Sequence, residues 1–166
     1  MSGIMVRPVS AAELEEVLPV YAYAREQMKR TGNPNQWGDD KPTAAELLRE
    51  IRRGTLFRLD EDGVLSGVFA FILGEDPTYR VIDGVWLDDG PYGTIHKVAK
   101  APGARDFLTK VVEHCRRISP NLRIDTHADN AVMQKAILKN GFTYCGVIYL
   151  ADGSPRRAYQ RVDAGV

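Results

Sequence analysis

Residues 123–130 read Arg123-Ile124-Asp125-Thr126-His127-Ala128-Asp129-Asn130, and the chain continues through Met133, Lys139, Asn140, Gly141 and Phe142. Leu122 to His127 has the pattern of a strand. Asp129 can cap a helix that starts at Asn130, its carboxylate accepting from a first-turn amide. Asn140-Gly141 stops that helix in a left-handed cap, which glycine adopts without steric cost.

Outward from this stretch the pattern continues on both sides. Phe142 to Leu150 and Arg157 to Val162 read as a hairpin across Asp152-Gly153-Ser154-Pro155. Toward the amino terminus, Arg105 to Ile118 is helical, with Phe107, Leu108, Val111, Val112 and Cys115 on its inner side. Pro102-Gly103 separates that helix from a strand over Tyr92 to Ala99. Glu75 to Pro91 is rich in Gly and Asp and irregular, with Val81, Ile82, Val85 and Trp86 expected to pin it to the core. Thr55 to Leu59 and Val64 to Leu73 are strands joined at Asp60-Glu61-Asp62-Gly63. Two helices precede them. Each opens on capping-box spacing, Ser10 with Glu13 and Thr43 with Glu46, and the second ends near Gly54. Leu14, Val17, Leu18, Tyr21 and Met28 form the apolar stripe of the first helix, and Pro19 should kink it. Ile4 to Val9 is the opening strand. Hairpins mixed with strand–helix–strand crossovers predict an α/β (α+β) fold, a mixed sheet with helices on both faces.

Composition narrows the function classes. The 166 residues carry 22 Lys and Arg against 22 Asp and Glu, so the sequence-independent attraction of nucleic-acid binders is missing. Cys115 and Cys145 are too few for a disulfide framework and fit no zinc spacing. The amino terminus lacks the basic stretch and long apolar run of a signal peptide, and no segment suits a membrane helix. The expectation is a soluble, cytoplasmic protein, one domain over 1–166, with no nucleic-acid or membrane partner.

Tyr92 to Asn140 resembles the GCN5-related N-acetyltransferase (GNAT) superfamily in two parts: the strand Gly93-Thr94-Ile95-His96-Lys97-Val98-Ala99 with its following loop and helix, and the Arg123–Phe142 block. The element order along the chain is similar too. The resemblance implies a mostly antiparallel twisted sheet with a splayed central strand pair. It implies acetyl transfer from acetyl-CoA to a primary amine of a small molecule or peptide, in a ternary complex without a covalent enzyme intermediate or a metal. A homodimer through the last strands would also fit. Val98 and Ala99 would lie beside pantetheine, with Asn130 touching its arm and Met133 nearby. The amides of Gly103, Ala104, Arg105, Asp106, Phe107 and Leu108 would meet the pyrophosphate, where free amides and a helix dipole favour an anion, with Lys100 adding charge. His96 would stand where members often carry a base, and Trp37 and Thr94 would line the acceptor side.

The chain departs from the superfamily pattern at two places. Its usual Arg/Gln-x-x-Gly-x-Gly/Ala loop starts here either at Arg105, which puts Leu108 and Lys110 at the small-residue positions, or at Gly103, which puts Asp106 and Leu108 there. Ile137 occupies the position of the Tyr that often protonates the departing thiolate, leaving Tyr144, Tyr149, Cys145 or solvent for that task. A non-catalytic ligand-binding or protein-interaction module on the same fold is the alternative function, and a thiol enzyme using Cys145 a third. Several candidates also have structural readings. His96 suits a base near neutral pH or simply a strand position. Trp37 can anchor an acceptor or cap the core. Asp125 and His127 share a strand face without a third metal ligand at convincing spacing. Arg49, Glu50, Arg52 and Arg53 read as a solvated helix face.

Overall fold

The computed structural model describes residues 3–163, so the outermost residues of the expected 1–166 unit lie outside it. The strands are β1 (Ile4–Pro8), β2 (Leu56–Glu61), β3 (Val64–Leu73), β4 (Asp83–Gly84), β5 (Gly93–Lys100), β6 (Asn121–Thr126), β7 (Thr143–Tyr149) and β8 (Pro155–Val162). The helices are α1 (Leu14–Arg30), α2 (Ala44–Arg53), α3 (Phe107–Cys115) and α4 (Ala131–Lys139). One eight-stranded sheet runs β1-β2-β3-β5-β6-β8-β7-β4. Among the described residues only β5 and β6 are parallel neighbours. This is the mixed, mostly antiparallel α/β architecture expected.

Alternation along the strands divides the core between the two faces. From β3, Phe69 and Phe71 join Ile95, Ile124, Leu108, Val111 and Ile137 beneath α3 and α4. Val68 and Ala70 face the other way, with Val17, Tyr21 and Leu47 of α1 and α2. Both expected capping boxes form: the Ser10 amide donates to the Glu13 carboxylate at 2.9 Å, and the Glu46 amide to Thr43 Oγ1 at 3.1 Å. The β2–β3 turn places Asp62 and Gly63 at φ +51° and +82°, the left-handed pair a tight hairpin requires. Among the described residues no helix is long and apolar enough to cross a membrane.

Several local expectations need correction. The helix expected over 105–118 is confined to α3, because Gly103 and Asp106 take positive φ in the turns before it. Asn130, not Asp129, caps α4: its Oδ1 accepts from the Met133 amide at 3.0 Å. Val81 and Val85 are 74% and 78% exposed, so they do not pin their segment. Tyr79 and Trp86 do, with Trp86 Nε1 donating to the Tyr79 carbonyl at 3.1 Å. Glu50 is not on a solvated face. Helical spacing puts it beside Leu47, and its buried carboxylate accepts from Thr55 Oγ1 at 2.7 Å.

The segment read as irregular also contains β4. Its Gly84 pairs with Gly146 of β7, both at φ near +145°. A Cβ built at Gly146 would collide with the Asp83 carbonyl and lie 2.8 Å from Gly84 Cα, so the strands approach this closely only because both residues are glycine.

Candidate active site

β5 and β6 pair only over Gly93–Ile95 and Leu122–Ile124, although β5 continues to Lys100 and β6 to Thr126. The two strands therefore part in the middle of the sheet. β3 advances from Val68 to Ala70 while β5 runs from Ala99 back to His96, one residue more, which makes a bulge. Lys97 sits in that bulge at φ +50°, a conformation that costs an L-residue about 1–2 kcal/mol. Tyr21 holds it in place: its hydroxyl donates to the Lys97 carbonyl at 2.6 Å. Burial raises the Tyr21 pKa well above its ordinary value, so the hydroxyl remains a donor.

A cavity of about 330 Å³ opens where the strands part. His96, Lys97 and Val98 line it from β5, Ile124, Asp125 and Thr126 from β6, and Gln36 and Trp37 from the loop after α1. Trp37 also packs on Tyr21, ring centroids 5.6 Å apart, so it serves both core and cavity. His96 Nε2 lies 3.1 Å from Asp76 Oδ2. Asp76 is itself locked: its Oδ1 accepts from the Thr78 amide and hydroxyl at 2.9 and 2.7 Å, and its amide donates to Tyr92 Oη at 2.7 Å. Burial would raise the Asp76 carboxyl, but hydrogen bonds from His96 and Thr78 outweigh it and bring the pKa to about 2. Tyr79 donates its hydroxyl to Asp125 Oδ1 at 2.7 Å. Behind them the Arg123 guanidinium lies between Trp86 and Tyr92, 3.9 Å from each ring centroid.

Gln36 ties the loop over this cavity to the sheet. Its Oε1 accepts from Asn33 Nδ2 and Asn130 Nδ2, each at 2.9 Å, and from Thr126 Oγ1 at 3.3 Å. Asn130 thus has both polar side-chain atoms engaged within the protein. Across from the loop, Arg156 of β8 reaches the cavity.

A second groove, about 430 Å³, runs along the other side of Val98. Of the residues expected at a cofactor, Val98, Ala99, Lys100, Asp106, Phe107, Leu108, Asn130 and Met133 line it. Gly103, Ala104 and Arg105 form the turn before α3 and are not part of its lining. The two cavities share Met28, Val98 and Met133. Thr43 and Asn130 cap α2 and α4, but no side chain caps α3, which leaves its first-turn amides facing outward from Asp106. Asp106 pairs with Lys139 at 3.2 Å.

Three expected residues are placed elsewhere. Tyr144 and Tyr149 are 42% and 47% exposed on β7 and line neither cavity; Tyr144 packs edge-on against Tyr159. Thr94 is 1% exposed within the paired part of β5 and lines neither cavity. Burial pushes the Cys145 thiol up, the reverse of an activated nucleophile. Among the described residues no group of three or more His, Cys, Asp or Glu side chains is placed to hold a metal ion. Asp76 and Arg156 escaped sequence reasoning. Asp76-Pro77 is a turn-initiating pair that could have flagged the first, whereas nothing separates Arg156 from Arg157 in sequence.

Solved structures share this fold. A GNAT-family acetyltransferase of Streptococcus agalactiae is 31% identical, with a TM-score of 0.85 over 98% of this chain and 97% of that one. A GNAT-family acetyltransferase of Listeria monocytogenes has the same fold at 15% identity, TM-score 0.71, over 98% of both chains. The yncA protein of Salmonella typhimurium, solved with its cofactor acetyl-CoA, matches at 16% identity and TM-score 0.58, over 98% of this chain and 96% of that one. No protein-family model matches the chain, and no curated protein matches it.

Proposed function

The chain belongs to the GNAT family of acetyltransferases, and from that premise we propose that it moves an acetyl group from acetyl-CoA to a primary amine by direct attack. The observation that carries this reading is the common wall of Met28, Val98 and Met133, which lets one cavity hold a donor and the other an acceptor with their reacting ends together. Acetyl-CoA supplies the activated acetyl group. The edge of β5 beyond Ile95, freed from β6, pairs with the pantetheine amides as a strand would. The uncapped amides of α3 receive the pyrophosphate, with Lys100 and Arg105 adding charge. The bulge held by Tyr21 directs backbone amide toward the thioester carbonyl, and that amide stabilises the charge developing on its oxygen.

His96 takes the proton of the attacking amine, directly or through one water. Asp76 accepts from Nε2–H, fixing the tautomer that leaves Nδ1 free as the base. Trp37 covers the acceptor. Water protonates the departing thiolate, since Tyr144 and Tyr149 line neither cavity.

Calorimetric titration with acetyl-CoA and CoA, followed by thiol release over a panel of amines, tests the reading. Micromolar binding and thiol release with at least one amine is the expected result. Asp106 favours the second reading, a ligand-binding or interaction module, because it brings a negative charge into the groove at the start of α3, where phosphate would sit. Binding without transfer to any amine selects that module, and absence of binding to millimolar concentration overturns acetyl transfer altogether.

A further inference from the structure

Arg156 is 8% exposed, yet it pairs with no carboxylate among the described residues. Its Nη1 donates to the Pro155 carbonyl at 2.8 Å, and its Nη2 to the Gln36 carbonyl at 3.5 Å. A guanidinium cannot shed its proton, so this is a permanent, nearly buried charge whose direct hydrogen-bond partners are two backbone oxygens, with the Asp152 carboxylate acting on it only through space. Such a charge is costly unless something else meets it. It lies in the wall of the 330 Å³ cavity, at the low end of ligand-site volumes of about 300–1,000 Å³.

The other charges of that wall are engaged. Lys41 pairs with Glu46 at 2.9 Å, and Lys97 faces Glu50 at 3.8 Å. Asp125 accepts from Tyr79, and Asp152 accepts from the Ser154 amide at 2.9 Å. Arg156 is therefore the one lining cation without a carboxylate in direct contact among the described residues.

Resting on the acetyl-transfer reading of this cavity, we propose that the acceptor amine carries a carboxylate, and that Arg156 binds it: the substrate class is a small amino-carboxylate such as a free amino acid. The planar fork of a guanidinium matches two carboxylate oxygens. A phosphate dianion suits the cavity less well, because Glu46, Asp125 and Asp152 would repel it. Those same carboxylates favour the ammonium end of a zwitterion, which His96 must then deprotonate. The Gln36 carbonyl beside Arg156 links the anion site to the loop that carries Trp37. Arg156 is thereby a specificity-determining residue, with the proton transfer left to His96.

The test compares amino acids with their carboxamides and decarboxylated amines, reading thiol release from acetyl-CoA by the wild type, Arg156→Gln and Arg156→Lys. The wild type should favour the carboxylate roughly ten- to hundredfold in kcat/KM, the range of a charge-assisted hydrogen-bond pair. Arg156→Gln should lose that preference through KM, lowering kcat/KM for the acid far more than for the amide, and Arg156→Lys should restore part of it. Calorimetry with N-acetylamino acids and their amides provides a readout that needs no turnover. Equal use of acid and amide by the wild type overturns the carboxylate site and leaves acetyl transfer standing. Absence of transfer, with Arg156-dependent binding of N-acetylamino acids, overturns acetyl transfer and retains the anion site. Neither transfer nor binding overturns both. Should Arg156→Gln fail to fold, the wild-type comparison of acid with amide decides alone.

Discussion

Arg58 and Arg156 are buried to nearly the same degree, 7% and 8% exposed, and sit in opposite environments. Arg58 on β2 is surrounded by carboxylates. Its Nη1 reaches Glu13 and Glu16 at 2.7 and 2.6 Å, and Nε and Nη2 reach Asp60 at 3.0 and 2.9 Å. Arg7 adds a second cation, bonding Glu13 at 2.6 Å. Burial alone would lower the Arg58 pKa, but these carboxylates outweigh it and raise it. Glu13 is held far below the usual carboxylate range, chiefly by its bond to Arg7. The charges of Arg7, Arg58, Glu13, Glu16 and Asp60 are consumed by one another at the β1–β2 edge, whereas the parted strands retain unspent groups: Arg156, the second nitrogen of His96 and the first amides of α3. Burial alone does not distinguish a structural residue from a binding one; the inventory of partners does.

The largest effect should come from Arg58. Arg58→Gln strands buried carboxylates and should cost about 3–5 kcal/mol in urea denaturation, while Arg156→Gln removes a charge with no direct carboxylate contact and should not destabilise the fold. Equal losses would abolish the contrast. Next, His96→Ala should lower kcat by about 10²–10⁴-fold and leave acetyl-CoA affinity intact, since only proton transfer is removed. Unchanged turnover at both neutral and high pH would remove His96 from the mechanism.

Acid should probe the support behind His96. The Asp76 carboxyl falls from 3.8 to about 2 on folding, so its contribution is fully present above pH 3.8 and is lost as pH falls through 2. The loss should be about 1–2 kcal/mol in denaturation midpoints followed over that window, and it should vanish in Asp76→Asn. A variant as acid-sensitive as the wild type would assign the loss to other carboxylates. The smallest change is Tyr21→Phe, which removes one hydrogen bond and should cost about 1 kcal/mol of stability. Its effect on kcat should exceed its effect on acetyl-CoA affinity if the Lys97 bulge positions the reacting carbonyl.

Local chemistry made most of the fold legible. Ser10 with Glu13, Thr43 with Glu46, Asp62-Gly63 and Asn140-Gly141 each act within a few residues, and each marks a boundary close to where the structure has one. His96, Val98 and Met133 could be singled out only through the resemblance of their strand and helix to the superfamily's, and the wall that Val98 and Met133 share was not foreseen. Relations across the chain were not legible. Asp76 meets His96 only because the segment after β3 folds back, and Arg156 meets Gln36 across 120 positions of sequence. Tyr144 and Tyr149 are close to the site by number, but β7 lies two strands from β6 and displays them outside both cavities. Proximity in sequence was a poor guide wherever a sheet neighbour intervened.

The paired glycines of β4 and β7 bear on how this protein meets its own kind. The outer edge of a sheet offers unpaired amides and carbonyls, an open template for a strand from another molecule. On β7 that template is already interrupted at Gly146 and Val147 by a strand of only two residues. Because neither glycine admits a Cβ, a bulkier residue at either position would push this cover off the edge. A contact far from any chemistry therefore covers two positions of an edge that would otherwise offer its full length to a strand from another molecule.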